Sequence, residues 1–269
     1  MKIIFIGAGN MAGALIGGLL KRGIPSDDLY AIDPSSDARA RLEKRYSIQS
    51  SETMDGTLNE YDVIIIAVKP QVMKTAIEPL APWLRAQLII SVAAGIRAVD
   101  ISRWLNGYPR VVRAMPNTLA LLGIGVTGLA ALRSVDNDDR TLAEQVLRAV
   151  GDIVWCEDES KIDAVTAISG SGPAYVFYFI QAMQRAAHEL GLDEKQTHTL
   201  VFTTFSGAIQ LAAQSDESSS ALLERVVSEG GTTVAALDSF ETDSISTAIV
   251  RGVLAAHARA IYISDTFGK

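Results

Sequence analysis

The stretch Lys2–Leu20, KIIFIGAGNMAGALIGGLL, constrains the fold of this chain more than any other. Lys2-Ile3-Ile4-Phe5-Ile6 is a short β-branched and aromatic run, the pattern of a strand buried on both faces. Gly7-Ala8-Gly9 then turns the chain, and from Asn10 to Leu20 apolar residues recur at helical spacing. Small Ala12, Gly13, Gly17 and Gly18 let that helix lie close on a sheet. The unit is a strand, a glycine turn and a helix, with Ala12 in the third small-residue slot of G-x-G-x-x-G/A. Gly7 permits the tight turn, Gly9 lets backbone N–H groups approach an anion, and the helix start at Asn10 and Met11 faces it. A lone glycine pattern is weak evidence. Set between a strand and a helix, it implies a bound pyrophosphate and hence a dinucleotide.

The pattern continues. Candidate strands follow at Leu29–Asp33, Asp62–Val68, Leu88–Ala93, Arg110–Ala114 and Ile153–Cys156, with helical patterns between them, including Ser36–Tyr46 and Asn137–Val150. Gly151 is a natural stop for the latter. Such alternation predicts β–α–β units and a mostly parallel sheet. From about Lys161 onward the chain reads as helices alone, over Pro173–Gly191, Asp193–Gln214, Ser219–Val227, Thr232–Phe240 and Asp243–Phe267. The expected architecture is therefore α/β, with a Rossmann-type dinucleotide-binding domain over 1–160 and an all-helical domain over 161–269. Apolar stripes in the helical half, such as Val176, Phe177, Phe179, Ile180 and Met183, exceed what three or four helices can bury. They predict packing against a second subunit.

Composition narrows the function. The chain has 269 residues, 48% of them hydrophobic and 20% charged, and carries a net charge of -7. That balance argues against nucleic acid, which needs a basic face. The apolar stretch Thr118–Leu132 is too short and too rich in glycine to span a bilayer. The N-terminus enters a strand directly without a basic leader, and the one cysteine, Cys156, precludes an internal disulfide. Together these features predict a soluble cytoplasmic protein with no membrane partner. His188, His198 and His257 all fall in helical patterns, no Cys/His cluster suggests a metal, and Cys156 reads as a core residue. Nothing resembles a Ser-His-Asp arrangement, so the chemistry belongs to a cofactor.

The remaining candidates lie where strands end. Asp33, in Ile32-Asp33-Pro34-Ser35-Ser36, holds the position that takes ribose hydroxyls and by itself favours NAD. Ser35, Ser36, Arg39 and Arg41 instead offer donors to a 2′-phosphate if Asp33 turns away. Ala67-Val68-Lys69-Pro70 and the Ala94-Gly95 turn end two further strands at the sheet edge where ligands of open α/β sheets bind. Lys69 reads either as a phosphate or carboxylate ligand or as a solvated loop lysine. Asn117, in Met115-Pro116-Asn117-Thr118, reads either as a partner of the nicotinamide amide or as a turn cap. In the helical half, Ser169-Gly170-Ser171-Gly172-Pro173-Ala174-Tyr175 suggests a helix start capped by Ser171 or Gly172 with Pro173 in the first turn. Ser228-Glu229-Gly230-Gly231-Thr232-Thr233 suggests another helix start, whose free N–H groups suit a carboxylate.

The motifs at Gly7–Met11, Val68–Pro70, Met115–Thr118, Ser169–Tyr175 and Gly230–Thr233, in this order and spacing, resemble pyrroline-5-carboxylate reductase over nearly the whole chain. The resemblance implies reduction of 1-pyrroline-5-carboxylate to L-proline, the last step of proline biosynthesis. It implies NADPH as hydride donor, with NADH the alternative, and a homodimer interlocked through the helical domain, often in larger rings of dimers. It further implies that the substrate carboxylate is held around Gly230, Gly231, Thr232 and Thr233 with help from Ser228. Thr233 would then hydrogen-bond the ring nitrogen. Two positions depart from the pattern: Leu119 replaces a usual proline, and Glu229 replaces a proline beside the carboxylate site, where it is expected to face solvent. One rival is a β-hydroxyacid dehydrogenase or another imine reductase; the hydroxyacid enzymes commonly need a helix lysine, and 169–190 contains none. The other, an idle nucleotide-binding scaffold, is supported only by Leu119 and Glu229.

Overall fold

The computed structural model describes residues 1–268. Eight strands form one sheet: β1 (Ile3–Ile6), β2 (Leu29–Ile32), β3 (Gln49–Ser51), β4 (Val63–Ile66), β5 (Leu88–Ser91), β6 (Val111–Met115), β7 (Gly125–Ala131) and β8 (Gly151–Trp155). Their spatial order is β3-β2-β1-β4-β5-β6-β7-β8. The first six run parallel, whereas β7 is antiparallel to β6 and parallel to β8. Among them lie α1 (Asn10–Lys21), α2 (Ser36–Tyr46), α3 (Pro70–Ile77), α4 (Ala98–Trp104) and α5 (Asn137–Leu147). After β8 the described residues contain only helices: α6 (Lys161–Val165), a π-turn (Thr166–Gly170), α7 (Gly172–Glu189), α8 (Glu194–Gln214), α9 (Ser219–Val226), α10 (Thr232–Thr242) and α11 (Ile245–Phe267).

Why the central strands form is visible in their alternation. Ile3 and Phe5 join a core with Leu15, Ile16, Val63, Ile65 and Ile90 on one face of the sheet. Ile4 and Ile6 join a second core on the other face with Ile64, Ile66, Met73, Ile77 and Ile101. Burial on both faces is what a continuous apolar strand requires. The chain divides into two compact units, Met1–Ser171 with the segment from Ala255 onward, and Gly172–Leu254. The first is a Rossmann-type unit. The second consists of helices α7 to α10 and the first half of α11.

Several expected elements shift. β2, β4 and β5 end one to two residues before their apolar runs do, at Ile32, Ile66 and Ser91, whereas β6 starts and ends one residue later than expected, at Val111 and Met115. Two strands have no counterpart among those expected. β3, Gln49-Ser50-Ser51, is short and polar at the outer edge. β7 lies inside Thr118–Leu132 and carries Gly125 and Gly128, which weaken strand propensity. Both glycines are packing necessities: a Cβ on Gly128 would stand 2.6 Å from Val165 Cγ1, and one on Gly125 would stand 2.8 Å from the Ala120 nitrogen. Neither is it a helix cap that begins the run at Pro173. Ser171 has helical angles, φ -87 and ψ -20, and its N–H donates to Thr166 C=O in the π-turn.

Candidate active site

At the amino end, Gly7 takes φ +105, and a Cβ there would stand 2.7 Å from the Ala67 carbonyl oxygen of the neighbouring strand end. Only glycine fits this turn. Gly9 is the N-cap of α1 and has no side-chain cap. The space that a Cβ on Gly9 would take is open, with nothing within 4 Å. The first turn's N–H groups on Asn10 and Met11 precede the first helical bond, from Gly13 to Gly9 C=O. An open glycine with a helix N-terminus behind it is the cradle a pyrophosphate needs. Alongside it, Ile6, Gly7, Ile32, Pro34, Met54 and Val68 line a largely apolar cleft of about 410 Å³. The residues present therefore fit the adenosine and pyrophosphate of a dinucleotide.

Asp33 does not stand free at the end of β2. Its Oδ2 accepts the Ala8 N–H at 2.7 Å and its Oδ1 accepts the Ser35 N–H at 2.8 Å. Arg39 Nη1 donates to the Asp33 carbonyl at 2.6 Å. Ser35 caps α2, its hydroxyl accepting from the Ala38 N–H. The acidic side chain thus braces the glycine loop. Lys69 is exposed at the N-cap of α3, with Pro70 at the first helical position. Gly95, after β5, has φ +75, and the side chain of Ile263 on α11 sits where a Cβ would go. The last turns of α11 therefore cover the Ala94-Gly95 loop, a contact the sequence did not announce. Arg97 adds an ion pair with Asp265, which holds the guanidinium above its ordinary range.

At the end of β6, Asn117 is buried, 6% exposed, and both ends of its carboxamide meet backbone. Nδ2 donates to Ser169 C=O at 3.2 Å, and Oδ1 accepts from the Val126 N–H at 3.4 Å. Met115 packs beside it against Gly170, whose Cβ would stand 2.7 Å from Met115 Cε. Two motifs that are 52 positions apart in sequence are thus joined.

A second charged group escaped the sequence reading. Arg113, inside the apolar strand Val111–Met115, is 1% exposed. It pairs with Asp163 at 2.8 Å and Glu159 at 3.5 Å. Glu159 also accepts the Ala98 N–H, and Ser264 donates to Asp163. This network ties β6, α4, α6 and α11 within the first unit. The signal was an arginine at a position where every neighbour is apolar.

In the helical unit, Gly231 is the N-cap of α10, with φ -81 and ψ 171 and no side-chain cap. Gly230 has φ +68, a left-handed turn that brings the Gly231 N–H to Ser228 C=O at 2.9 Å. The Gly231 N–H is thereby engaged, which leaves Thr232 and Thr233 as the motif's first-turn donors. Ser228 Oγ fills the space beside Gly231 Cα. Thr233 is half-buried, and Glu229 is exposed.

The other reactive side chains are quiet. Cys156 is half-buried instead of lying in the core, and burial pushes its thiol up, away from a nucleophile's range. His188 lies near Glu194, and His198 stacks on Phe202. Among the described residues no group of three or more His, Cys, Asp or Glu side chains is placed to hold a metal, and no helix is long and apolar enough to cross a membrane.

The match to known proteins is extensive. Residues 159–262 match the family model described as pyrroline-5-carboxylate reductase dimerisation, and residues 2–95 match one described as NADP oxidoreductase, coenzyme F420-dependent. A pyrroline-5-carboxylate reductase of Pseudomonas aeruginosa is 43% identical over 100% of this chain and 98% of its own. The chain belongs to the pyrroline-5-carboxylate reductase family. The solved structure of the Coxiella burnetii member is 36% identical, with a TM-score of 0.89 and 98% of each chain covered. That of the Plasmodium falciparum member, described with NADP bound, is 28% identical with the same score and coverage. The family places the Gly7–Met11 loop in an oxidoreductase that uses a nicotinamide cofactor, and its dimerisation region coincides with the helices whose apolar stripes are unburied.

Proposed function

We propose that the protein reduces the cyclic imine of 1-pyrroline-5-carboxylate to L-proline, with NADPH as the preferred hydride donor and a homodimer as the working form. The observation that carries this reading is the pair of anion cradles in one chain of this family, the open glycine turn at Gly7–Gly9 and the capless start of α10 at Gly231–Thr233. Gly7, Gly9, Asn10 and Met11 hold the pyrophosphate, and the cleft lined by Ile32, Pro34, Met54 and Val68 takes the adenosine side. The cofactor supplies the hydride. The N–H groups of Thr232 and Thr233, with the Ser228 hydroxyl, hold the substrate carboxylate. The Thr233 hydroxyl bonds the ring nitrogen and keeps the imine in its protonated form. No strong acid is needed, because an imine nitrogen is basic enough to arrive protonated. One hydride and one proton are consumed, and the rate comes from alignment of donor and acceptor carbons.

The preference for NADPH rests on Asp33. With its carboxylate oxygens accepting the Ala8 and Ser35 N–H groups, it has less acceptor capacity left for ribose hydroxyls. The start of α2, with exposed Ser36 and nearby Arg39 and Arg41, suits a 2′-phosphate instead. The test follows NADPH and NADH oxidation by purified protein with racemic 1-pyrroline-5-carboxylate, with proline identified as product. Rapid oxidation yielding proline, faster with NADPH at equal concentration, is the expected result, and Thr233→Ala should lower turnover far more than cofactor affinity. Absence of turnover with either cofactor, despite cofactor binding, would overturn the substrate assignment. A clear NADH preference would overturn the reading of Asp33 alone.

A further inference from the structure

The contact between Asn117 and the π-turn has a local chemical cause. In an α-helix the carbonyl of Ser169 would accept a hydrogen bond from residue 173, four positions on. Residue 173 is proline, which has no N–H and crowds the carbonyl four residues before it. The helix widens just there, over Thr166–Gly170, with Ser171 N–H reaching back five residues to Thr166 C=O. Asn117 Nδ2 donates to Ser169 C=O, the carbonyl that Pro173 cannot serve. The opposite end of the same carboxamide accepts the Val126 N–H, so the two partners, one acceptor and one donor, fix which end is which. Gly125 leaves the room: a Cβ there would stand 3.0 Å from Asn117 Oδ1. Met115 against Gly170 closes the other side.

We propose that Asn117 is a positioning residue, whose carboxamide replaces the hydrogen-bond donor missing from Pro173 and fixes the Ser169–Gly170 turn at the carboxyl end of β6. That end lies beside the carboxyl end of β5, where the Ala94-Gly95 loop begins. π-turns are found at functional sites because they set one segment of backbone out of helical register. This role differs from a direct contact with the nicotinamide amide, since both polar ends of Asn117 are already engaged. It rests on the reductase reading only for its kinetic consequence.

The test is a double-mutant cycle on the full-length protein, with Asn117→Ala, Pro173→Ala and the pair, and with Asn117→Ser in place of Asn117→Ala if the latter does not fold. Pro173→Ala returns an N–H to position 173, so it compensates a lost Asn117 donor only if the shared partner is Ser169 C=O. Thermal midpoint, kcat, and KM for NADPH are read for each. In the wild-type background Asn117→Ala is expected to lower kcat by roughly 10- to 100-fold with KM for NADPH changed less than about threefold, since small misplacements near a reacting centre act mainly on turnover. In the Pro173→Ala background both the kcat loss and the fall in midpoint should shrink. Equal losses in the two backgrounds, or a rise in KM for NADPH with kcat unchanged, would overturn the proposal. The midpoint arm needs no substrate, so it decides on the clamp even if the wild-type protein fails to turn over 1-pyrroline-5-carboxylate.

Discussion

Ile64, in the sheet of the nucleotide-binding unit, is fully buried, whereas Tyr178 and Ile209, in the helical unit, are 72% and 66% exposed. The contrast is general. Unit 1 closes two cores, one on each face of its sheet, from residues of its own. In unit 2, long helices bury little more than Ile180, Ala187, Thr197 and Val201, while Phe177, Leu190, Leu211 and Leu254 stay exposed. Fully burying one such side chain contributes about 1.5–3 kcal/mol, so a helical layer that leaves so many uncovered is incomplete by itself. A sheet with helices on both faces can be finished by one chain. A thin layer of helices has two apolar faces and needs a second layer, in keeping with the dimerisation match over 159–262.

The sharpest way to break this comparison is to charge the helical stripes. Phe177→Glu together with Ile209→Glu should convert an oligomer to monomers in sedimentation and abolish turnover, while NADPH still binds unit 1. Retention of the wild-type mass would show that these stripes are not the interface. The next effect is internal to unit 1. Arg113→Met leaves Asp163 as a buried carboxylate without its counter-ion, with half-buried Glu159 beside it, and should cost about 3–5 kcal/mol, read as a fall in the thermal midpoint. A loss below about 1 kcal/mol would mean that the network is no more than a surface pair in energy. The smallest effect is on the alkaline limb. Burial pushes the Tyr61 phenol up to about 12. Its neutral form is favoured in the fold, so the stabilisation is fully present below an unfolded value of roughly 10 and is lost as pH rises through about 12. Tyr61→Phe should flatten unfolding against pH across that window; an unchanged slope would assign the alkaline limb to other groups.

Much of the fold was legible because it is local. A strand, a glycine turn and a helix are specified by residues within twenty positions, and α2 was legible at Ser36–Tyr46 from its helical pattern. β3 and β7 were not, since a three-residue polar edge strand has no apolar signature and β7 is broken by glycines that serve its neighbours. The start of α10 at Gly231 was legible as a helix start, but not the turn at Gly230 that engages the Gly231 N–H.

The amino-acid order by itself determined where the chain turns, which strands are buried on both faces, and that the helical half is too apolar to stand alone, because each depends on side-chain pattern over a few turns or strands. Only the tertiary structure decided what single polar side chains do. Asp33 turns to a loop 25 residues earlier, Arg113 meets Asp163 50 residues later, and Asn117 meets Ser169 52 residues later. A buried polar group must find a partner, and which partner is within reach is set by how distant segments pack.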